Sequence, residues 1–274
     1  MRWRPFLFFI LLETYVIHTN ESWLFASGYQ KIFIALVFVA LIALEKYHMH
    51  RINEKNIIDH SRRVNIQIFL FNDLVMNLLS VSSLLVIAEN YSGYGLFNLI
   101  PDGALKLFLS FILFDLMLYW GHRARHEYKY LWMFHKVHHS DIDMNTTTAF
   151  RLHIVEVLLT TVTKVLFVVI MGVPTLLVAF NEILITSIVM MNHSNISFRG
   201  EKLLSYIFIV PSKHMVHHSR TLTEHESNFG FALSIWDRMF GTCQMTKPRG
   251  IGLPQIQEPS FWQTLFLNWK RTKK

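Results

Sequence analysis

Residues 104–126 read ALKLFLSFILFDLMLYWGHRARH, an apolar run that leads directly into His122 and His126. The run is close to the ~20 residues that an α-helix needs to cross a bilayer. A helix turns by about 100° per residue, so positions three and four residues apart share one face, as do Asp115, Tyr119, His122 and His126. This stretch therefore predicts a membrane helix that ends in imidazole side chains at the membrane surface.

Two further histidine clusters follow, and both have the spacing His-x-x-His-His. They are His135, His138 and His139, and His214, His217 and His218. On a helix each cluster would direct its rings at one point, an arrangement that core packing does not require and that a transition metal does. Eight to ten nitrogen ligands exceed the needs of one ion, so the sequence predicts two metal ions.

The composition indicates a membrane protein. The chain has 274 residues, of which 52% are hydrophobic and only 16% charged, against about 25% in soluble domains. The formal charge of +7 is explained by basic residues facing anionic lipid, and nucleic-acid binding is not expected. The single Cys243 excludes an internal disulfide framework and a cysteine-rich metal site. No cleavable signal is recognised at the start.

The predicted fold is all-α, a polytopic membrane bundle of about four spans plus a helical hairpin, with a cytosolic histidine-rich cap. The hairpin joins its two helices at Gly172-Val173-Pro174, and it either crosses the membrane fully or is re-entrant. We expect membrane anchor helices and a loop in 1–65, a catalytic domain in 66–245 and a basic tail in 246–274. The apolar stretches are 5–17, 31–45, 66–88, 104–121, 154–171 and 174–191.

Lysine and arginine predict the orientation in the membrane. The loop 46–65, the segment 122–151 and the tail after His193 are rich in both, whereas 89–103 contains neither. Both termini and all histidine clusters are therefore expected on the cytosolic side. The membrane would be the endoplasmic reticulum in a eukaryote and the inner membrane in a bacterium.

Five motifs in this order carry a family resemblance. His-x-x-x-His, His-x-x-His-His, Asn192-His193-Ser194-Asn195, a second His-x-x-His-His and Trp236-Asp237-Arg238 with Phe240-Gly241-Thr242 resemble the fatty acid hydroxylase/sterol desaturase superfamily. The run from Leu131 to Arg151 is similar to its sterol desaturase and alkylglycerol monooxygenase branches. The match covers roughly residues 70–245.

The resemblance implies the metal ligands. They would be His122, His126, His135, His138, His139, His193, His214, His217 and His218, all but His193 also being assigned to catalysis. Relatives can carry a second histidine in the third motif, where this chain has Val189, so one position is left to water, His153 or Asn195. The family's Arg-x-His-Pro-x-Glu becomes Arg151-Leu152-His153-Ile154-Val155-Glu156 here, without the proline.

Other polar residues are assigned to supporting positions or to an extra ligand. Asp115 is expected to orient a histidine as a hydrogen-bond acceptor. The remaining residues of this kind are His153, Glu156, Asn195, His225 and Asp237. The separate histidines His18, His48, His50 and His60 are expected to be structural.

The resemblance also implies the activity. It predicts an O₂-dependent oxidoreductase with two iron ions, zinc being compatible in a purified form, that hydroxylates or desaturates a sterol, fatty acyl, sphingolipid or ether lipid. One cysteine cannot hold an iron–sulfur cluster and no dinucleotide fingerprint is present, so electrons are expected from a partner such as cytochrome b5 or ferredoxin with its reductase. The alternatives are a zinc-bound hydrolase or isomerase and a non-enzymatic scaffold or transporter.

Overall fold

The computed structural model describes residues 21–47, 54–79, 83–254, 256 and 259–267. The predicted apolar stretch 5–17 and the histidines His18, His48 and His50 lie outside these residues. Within them the chain is helical, with two isolated β-bridges and no longer strand. The predicted all-α fold is confirmed.

Twelve α-helices are described. They are α1 (Glu21–Tyr47), α2 (Lys55–Leu78), α3 (Leu84–Tyr91), α4 (Ala104–Glu127), α5 (Lys129–His135), α6 (Ile154–Met171), α7 (Thr175–His193), α8 (Glu201–Leu204), α9 (Pro211–His217), α10 (Leu222–His225), α11 (Ile235–Met239) and α12 (Phe261–Leu265). Three short 3₁₀ helices cover Leu96–Leu99, His138–Ser140 and Thr146–Phe150.

Four helices among the described residues are long and apolar enough to cross a membrane. They are the Gly28–Tyr47 part of α1, and α4, α6 and α7, with mean hydropathies of 1.6 to 2.3. At 1.5 Å per residue, their 18 to 24 residues span about 27–36 Å, which matches the hydrocarbon core of a bilayer. The chain is therefore an integral membrane protein.

The hairpin of α6 and α7 has the predicted turn. Gly172 ends α6 with φ 64°, in the left-handed region that glycine adopts without strain, and Pro174 precedes α7. A Cβ at Gly172 would meet the carbonyl oxygen of Tyr94 at 1.7 Å, so any larger residue would displace the loop before α4. The turn end of the hairpin packs in an apolar cluster with Leu85 and Phe97.

The three helices α4, α6 and α7 bring their polar ends together. The chain runs along α4 toward His122, away from Glu156 along α6, and back along α7 toward His193. All three residues are buried. The histidine clusters therefore lie at one end of the bundle, opposite the Gly172 turn.

The predicted stretch 66–88 is not one helix, and residues 55–65 of the predicted loop 46–65 are helical. Helix α2 starts at Lys55 and ends at Leu78, and Ser83 caps the separate α3 by accepting from the Leu85 amide. Neither is among the four candidate spans. The face of α2 that packs inward is polar, with Ser61, Asn65 and Asn72 buried.

These polar residues contact the segment that follows the second histidine cluster. Ser61 Oγ and Asn65 Nδ2 both donate to the Asp141 carboxylate, at 2.8 Å each. Arg151 donates from Nη1 to Asn65 Oδ1 at 2.9 Å and from Nε to the Val137 carbonyl at 3.2 Å. The proposed boundary between 65 and 66 thus falls inside a helix that packs on the histidine-rich region.

Helix α1 is tied to the same region by one buried carboxylate. Glu45 accepts from the Thr146 amide at 2.7 Å and from the Asn195 amide at 2.9 Å, both at Oε1, and its Oε2 pairs with Arg62 at 3.0 Å. Glu45 is 1% exposed. The segment that follows the second histidine cluster and the segment that follows His193 are therefore fixed by a single side chain.

Candidate metal centre

Nine buried histidines form two adjacent groups. The five-histidine group comprises His122, His126, His135, His139 and His217, and the four-histidine group comprises His138, His193, His214 and His218. Within each group one ring nitrogen of every member lies within 4.8 Å of the others. The structure thus brings together all nine histidines that the sequence proposes as ligands; their metal-binding role stays a prediction.

The expectation that each cluster aims at one point is wrong for the second and third clusters, whereas His122 and His126 of the first share one group. His135 and His139 belong to the five-histidine group, while His138 of the same cluster belongs to the four-histidine group. The third cluster divides in the same way, with His217 in one group and His214 and His218 in the other. In both clusters the two histidines that are four residues apart share a group and the one between them belongs to the other, although the second cluster continues from α5 into a 3₁₀ turn and the third is α-helical to His217.

The rings of the five-histidine group face each other through Nε2. His122 Nε2 lies 3.1 Å from His135 Nε2, which is 3.2 Å from His139 Nε2. The Nδ1 of His122 is 2.8 Å from the Phe229 carbonyl, and that of His135 is 2.7 Å from Glu156 Oε1. Because those oxygens only accept, Nδ1 carries the proton in both rings and two bare lone pairs meet.

The four-histidine group shows the same arrangement around His193. Its Nε2 is 2.9 Å from the Nε2 of His138 and 2.9 Å from that of His214. Its Nδ1 donates to the Val189 carbonyl at 2.7 Å. Ligand nitrogens about 2.1 Å from one ion and at right angles to it are about 3.0 Å apart, so these separations fit a shared cation.

Several ring nitrogens are buried without a hydrogen-bond partner among the described residues. They include both nitrogens of His126 and His218, Nε2 of His217 and Nδ1 of His138 and His214. A buried polar atom without a partner costs about 1–3 kcal/mol, so a set of them requires a compensating ligand. The donor set of imidazoles suits iron, zinc or copper, and the residues fit a metal pair.

Burial keeps these histidines neutral. It lowers the pKa of His138, His139 and His218 well below the usual value, and the neighbouring rings His193, His218 and His138, respectively, lower it further. The pKa of His135, His214 and His217 is lowered by burial in the same way. Metal ligation requires neutral imidazole, so this environment prepares the rings for it.

Glu156 and Asp237 reach the histidines in two different ways, one by direct contact and the other through the backbone. Glu156 contacts a histidine directly, through His135 Nδ1, and Arg125 Nε lies 3.3 Å from the same Glu156 oxygen. Asp237 acts through the backbone, because it accepts from the Phe229 amide at 2.7 Å while the Phe229 carbonyl holds His122. The supporting role that the sequence assigns to Glu156 and Asp237 stays a prediction, and these contacts show which groups each residue reaches.

Asp115 does not orient a histidine. Its carboxylate accepts from the amides of Ala232 and Leu233 and from Trp236 Nε1, at 2.9, 3.1 and 2.8 Å. It therefore fixes the turn at Ala232 and Leu233, which follows Phe229 in the chain. Three donors from one turn compete successfully for the carboxylate because each would otherwise be buried unpaired.

His153 caps a helix and lies in neither group. Its Nδ1 accepts from the Val155 amide at 3.1 Å, and its ring packs 4.9 Å from that of Phe134. Asn195 bonds Glu45 through its backbone amide, and its role as a ligand stays a prediction. His60 Nε2 lies 3.4 Å from the Pro259 carbonyl oxygen, and His60 belongs to none of the histidine groups among the described residues.

Sequence reasoning missed Glu226 and the backbone acceptors. His225, placed in a supporting role, forms a third group with His126 and Glu226. The adjacency of Glu226 to His225 is a signal that could have found it. The carbonyls of Ser227, which accepts from His217 Nδ1 at 2.7 Å, and of Phe229 leave no trace in residue identity.

Comparison with known proteins agrees with the site. Residues 107–242 match the family model for fatty acid hydroxylase. The chain is 30% identical over 139 residues to an ornithine lipid hydroxylase of Rhizobium tropici, covering 51% of this chain and 42% of the relative. It is 30% identical over 169 residues to the alkylglycerol monooxygenase of Homo sapiens, covering 61% and 36%.

The corresponding enzyme of Xenopus tropicalis is 32% identical over 172 residues, covering 62% of this chain and 37% of the relative. The matches thus span about two fifths of the length of these relatives. No solved structure is significantly similar to the chain. The resemblance inferred from the motifs is confirmed: residues 107–242 are a fatty acid hydroxylase domain, consistent with the fatty acid hydroxylase/sterol desaturase superfamily that the motifs indicate.

Proposed function

We propose that this protein is a membrane-bound non-haem di-iron oxidoreductase that uses O₂ to hydroxylate or desaturate a lipid. The observation that carries the proposal is the pair of adjacent histidine groups, whose Nε2 atoms face each other at 2.9–3.2 Å. Relatives named as a lipid hydroxylase and as monooxygenases support the class of reaction.

In this proposal each group holds one ion. The five-histidine group surrounds one and the four-histidine group the other, and the two are close because the rings of His139 and His218 are 4.5 Å apart. Iron bound here would supply the activation of O₂. With two electrons and two protons, one oxygen atom would enter a C–H bond to give an alcohol and the other would leave as water.

The protein's own contribution is to hold and orient the rings. Phe229, Ser227 and Val189 accept from Nδ1 through their carbonyls, and Glu156 does so through its carboxylate. Each contact fixes one ring plane and leaves Nε2 as the ligand atom.

Water exclusion comes from the apolar cluster beneath the site. The buried residues of this cluster include Phe114, Leu118, Trp236, Phe229 and Ile185. A dry surrounding strengthens electrostatic interactions within the site and limits side reactions. We propose that the lipid tail approaches along this apolar end of α4 and α7, since that is where membrane helices meet the histidines.

We further propose that 66–245 is the catalytic unit, that the histidine end faces the cytosol, and that electrons arrive from a separate carrier such as cytochrome b5 or ferredoxin with its reductase. The basic segment 122–151 and the basic tail support this side of the membrane by the positive-inside rule. An acidic carrier would be attracted to the same basic surface.

The test is metal analysis together with an oxygen assay and lipidomics. The purified full-length protein should hold two irons, and with a reductase and carrier it should consume NAD(P)H and O₂ in the presence of membrane lipid extract. A product heavier by the mass of one oxygen indicates hydroxylation, and one lighter by two hydrogens indicates desaturation. Stoichiometric zinc without oxygen uptake under reducing conditions would overturn the proposal in favour of a zinc-bound hydrolase, isomerase or scaffold.

A further inference from the structure

We propose that His126, His225 and Glu226 form a metal-loading site at the mouth of the five-histidine group. A divalent cation would bind there first and then pass inward. The inference rests on the metal centre proposed above, because a loading site requires a destination. It assigns a role to His225 and Glu226, which the oxidation chemistry itself leaves unexplained, and a second role to His126.

The three side chains form a compact donor set. Glu226 Oε1 lies 3.3 Å from His225 Nε2, and Glu226 Oε2 lies 3.8 Å from His126 Nδ1. One ligand atom of each residue is within 4.8 Å of the others. Two imidazoles and one carboxylate are a common three-ligand set for a transition metal, and they leave positions open for water or an incoming ligand.

Burial increases from Glu226 to His126. The Glu226 side chain is 30% exposed, that of His225 is 7% exposed and that of His126 is fully buried. The outermost of the three is thus the carboxylate, which attracts cations. A cation arriving from solvent therefore meets a negative group first and neutral rings afterwards.

The inner two residues present nitrogen atoms without other partners. His225 Nε2 and both nitrogens of His126 are buried and make no hydrogen bond among the described residues. The His225 ring stacks on Trp132 at 5.2 Å with an interplanar angle of 8°, so its plane is fixed. A fixed ring with a buried lone pair is a preorganised ligand.

His126 belongs to this group and to the five-histidine group. An ion held by Glu226 and His225 is therefore one shared ring away from the deeper site. Exchange of these two ligands for His122, His135, His139 and His217 would carry it inward. Because one ring serves both sets, we expect occupancy of the outer site to be transient.

The experiment measures the rate of metal uptake. The full-length protein in detergent is stripped with a chelator, mixed with Co²⁺ in a stopped-flow instrument, and followed by the visible absorption of histidine-bound cobalt. The change is Glu226→Gln, which keeps the shape and removes the charge. Glu127→Gln is the matched control, because Glu127 follows His126, pairs with Arg123 on the surface and lies outside the group.

We expect Glu226→Gln to load Co²⁺ about tenfold more slowly than the unaltered protein and to reach the same final stoichiometry. Glu226→Asp should recover part of the rate, and Glu127→Gln should load normally. If Glu226→Gln does not fold, His225→Gln replaces it, with the same expected slowing.

Three results would overturn the inference. Unchanged loading in Glu226→Gln would do so, as would equal slowing in Glu127→Gln, which would indicate general charge attraction. A final stoichiometry lower by one ion, with the others loading normally, would indicate a permanent third ion instead. Failure of the unaltered protein to bind Co²⁺ at all would contradict the metal centre itself, which separates that outcome from the loading rate.

Discussion

The two histidine groups differ in how firmly the protein holds them. In the five-histidine group three rings, His122, His135 and His217, are fixed through Nδ1 by a carbonyl or a carboxylate. In the four-histidine group His193 is fixed in this way, whereas the Nδ1 atoms of His138, His214 and His218 have no hydrogen-bond partner among the described residues.

The group with more histidines is also the group in which more rings have an Nδ1 acceptor. The group with an extra histidine also has the better supported rings, so its ion should be bound more tightly. The smaller group has fewer anchors and one histidine fewer, and Val189, one helical turn before His193, contributes no ligand atom to it. We expect the more exchangeable ion, and the open position that O₂ chemistry requires, on this side.

The largest effect should come from removing one ligand from each group. His138→Ala and His217→Ala should both abolish turnover, because both ions take part in the proposed reaction. His138→Ala reduces its group to three ligands and should lose that ion completely, whereas His217→Ala leaves four and should retain part of its metal. Metal content per protein, measured by mass spectrometry, checks this.

His60→Ala is the control for that experiment, because His60 contacts only a backbone carbonyl among the described residues. It should keep metal and turnover close to normal. Equal metal loss in both ligand variants would mean that the groups do not differ as described, and full activity in either would remove that histidine from the ligand set.

Glu156→Gln tests the support of the five-histidine group alone. The change weakens the acceptor of His135 Nδ1 and should lower metal affinity or turnover about 10–100-fold. Competition with a chelator should show faster release of one ion and unchanged release of the other. Glu182→Gln, which alters the ion pair with Lys164 between α6 and α7, is the matched control and should leave both release rates unchanged.

Acid should destabilise the metal-free protein. Burial lowers the pKa of His138, His139 and His218, so the folded state binds fewer protons than the unfolded state below the unfolded pKa of about 6.5. Their contribution to stability is complete above that pH. It falls as the pH decreases, by about 1.4 kcal/mol per unit for each ring that stays neutral in the fold.

The measurement is thermal unfolding of the chelated protein in detergent between pH 8 and pH 5. The midpoint temperature of unfolding should decrease as the pH is lowered below 6.5. Restoring the metal should make this decrease smaller at a given pH. A midpoint that is constant or rises on acidification would show that the rings are already protonated in the folded state.

The smallest effect is expected from filling the vacant position of the four-histidine group. Val189 lies one helical turn before His193 on α7, so Val189→His places a second imidazole on the same face. Release of the exchangeable ion to a chelator should become a few-fold slower. Val189→Leu is the control for added volume, and equal slowing in both variants would contradict a ligand effect.

The sequence predicts the elements that follow simple patterns. The long apolar runs of α4, α6 and α7 and the Gly172-Val173-Pro174 turn appear where expected, because length and hydropathy specify such helices. The eight clustered histidines and His193 also come together as a set. These are properties of local spacing and composition.

Other features depend on contacts that spacing does not encode. The division of His138 from His139 and of His217 from His218 depends on which rings the fold places opposite them, and the anchors of His122 and His217 are the backbone carbonyls of Phe229 and Ser227. The predicted loop 46–65 includes the first part of α2. The buried face of this helix is polar because Ser61 and Asn65 donate to Asp141. Hydrophobic periodicity gives no signal for such an interface.

Glu45 has a consequence for any shortened version of this protein. A fragment that begins at residue 66 would keep the whole segment 107–242 and every candidate ligand, yet it would lack the acceptor for the Thr146 and Asn195 amides. Each amide left buried without a partner costs about 1–3 kcal/mol, and Asp141 would lose Ser61 and Asn65 as donors as well. A stable catalytic fragment therefore needs α2 and the part of α1 that carries Glu45 in addition to the proposed catalytic unit 66–245, well ahead of the sequence motifs that define its family.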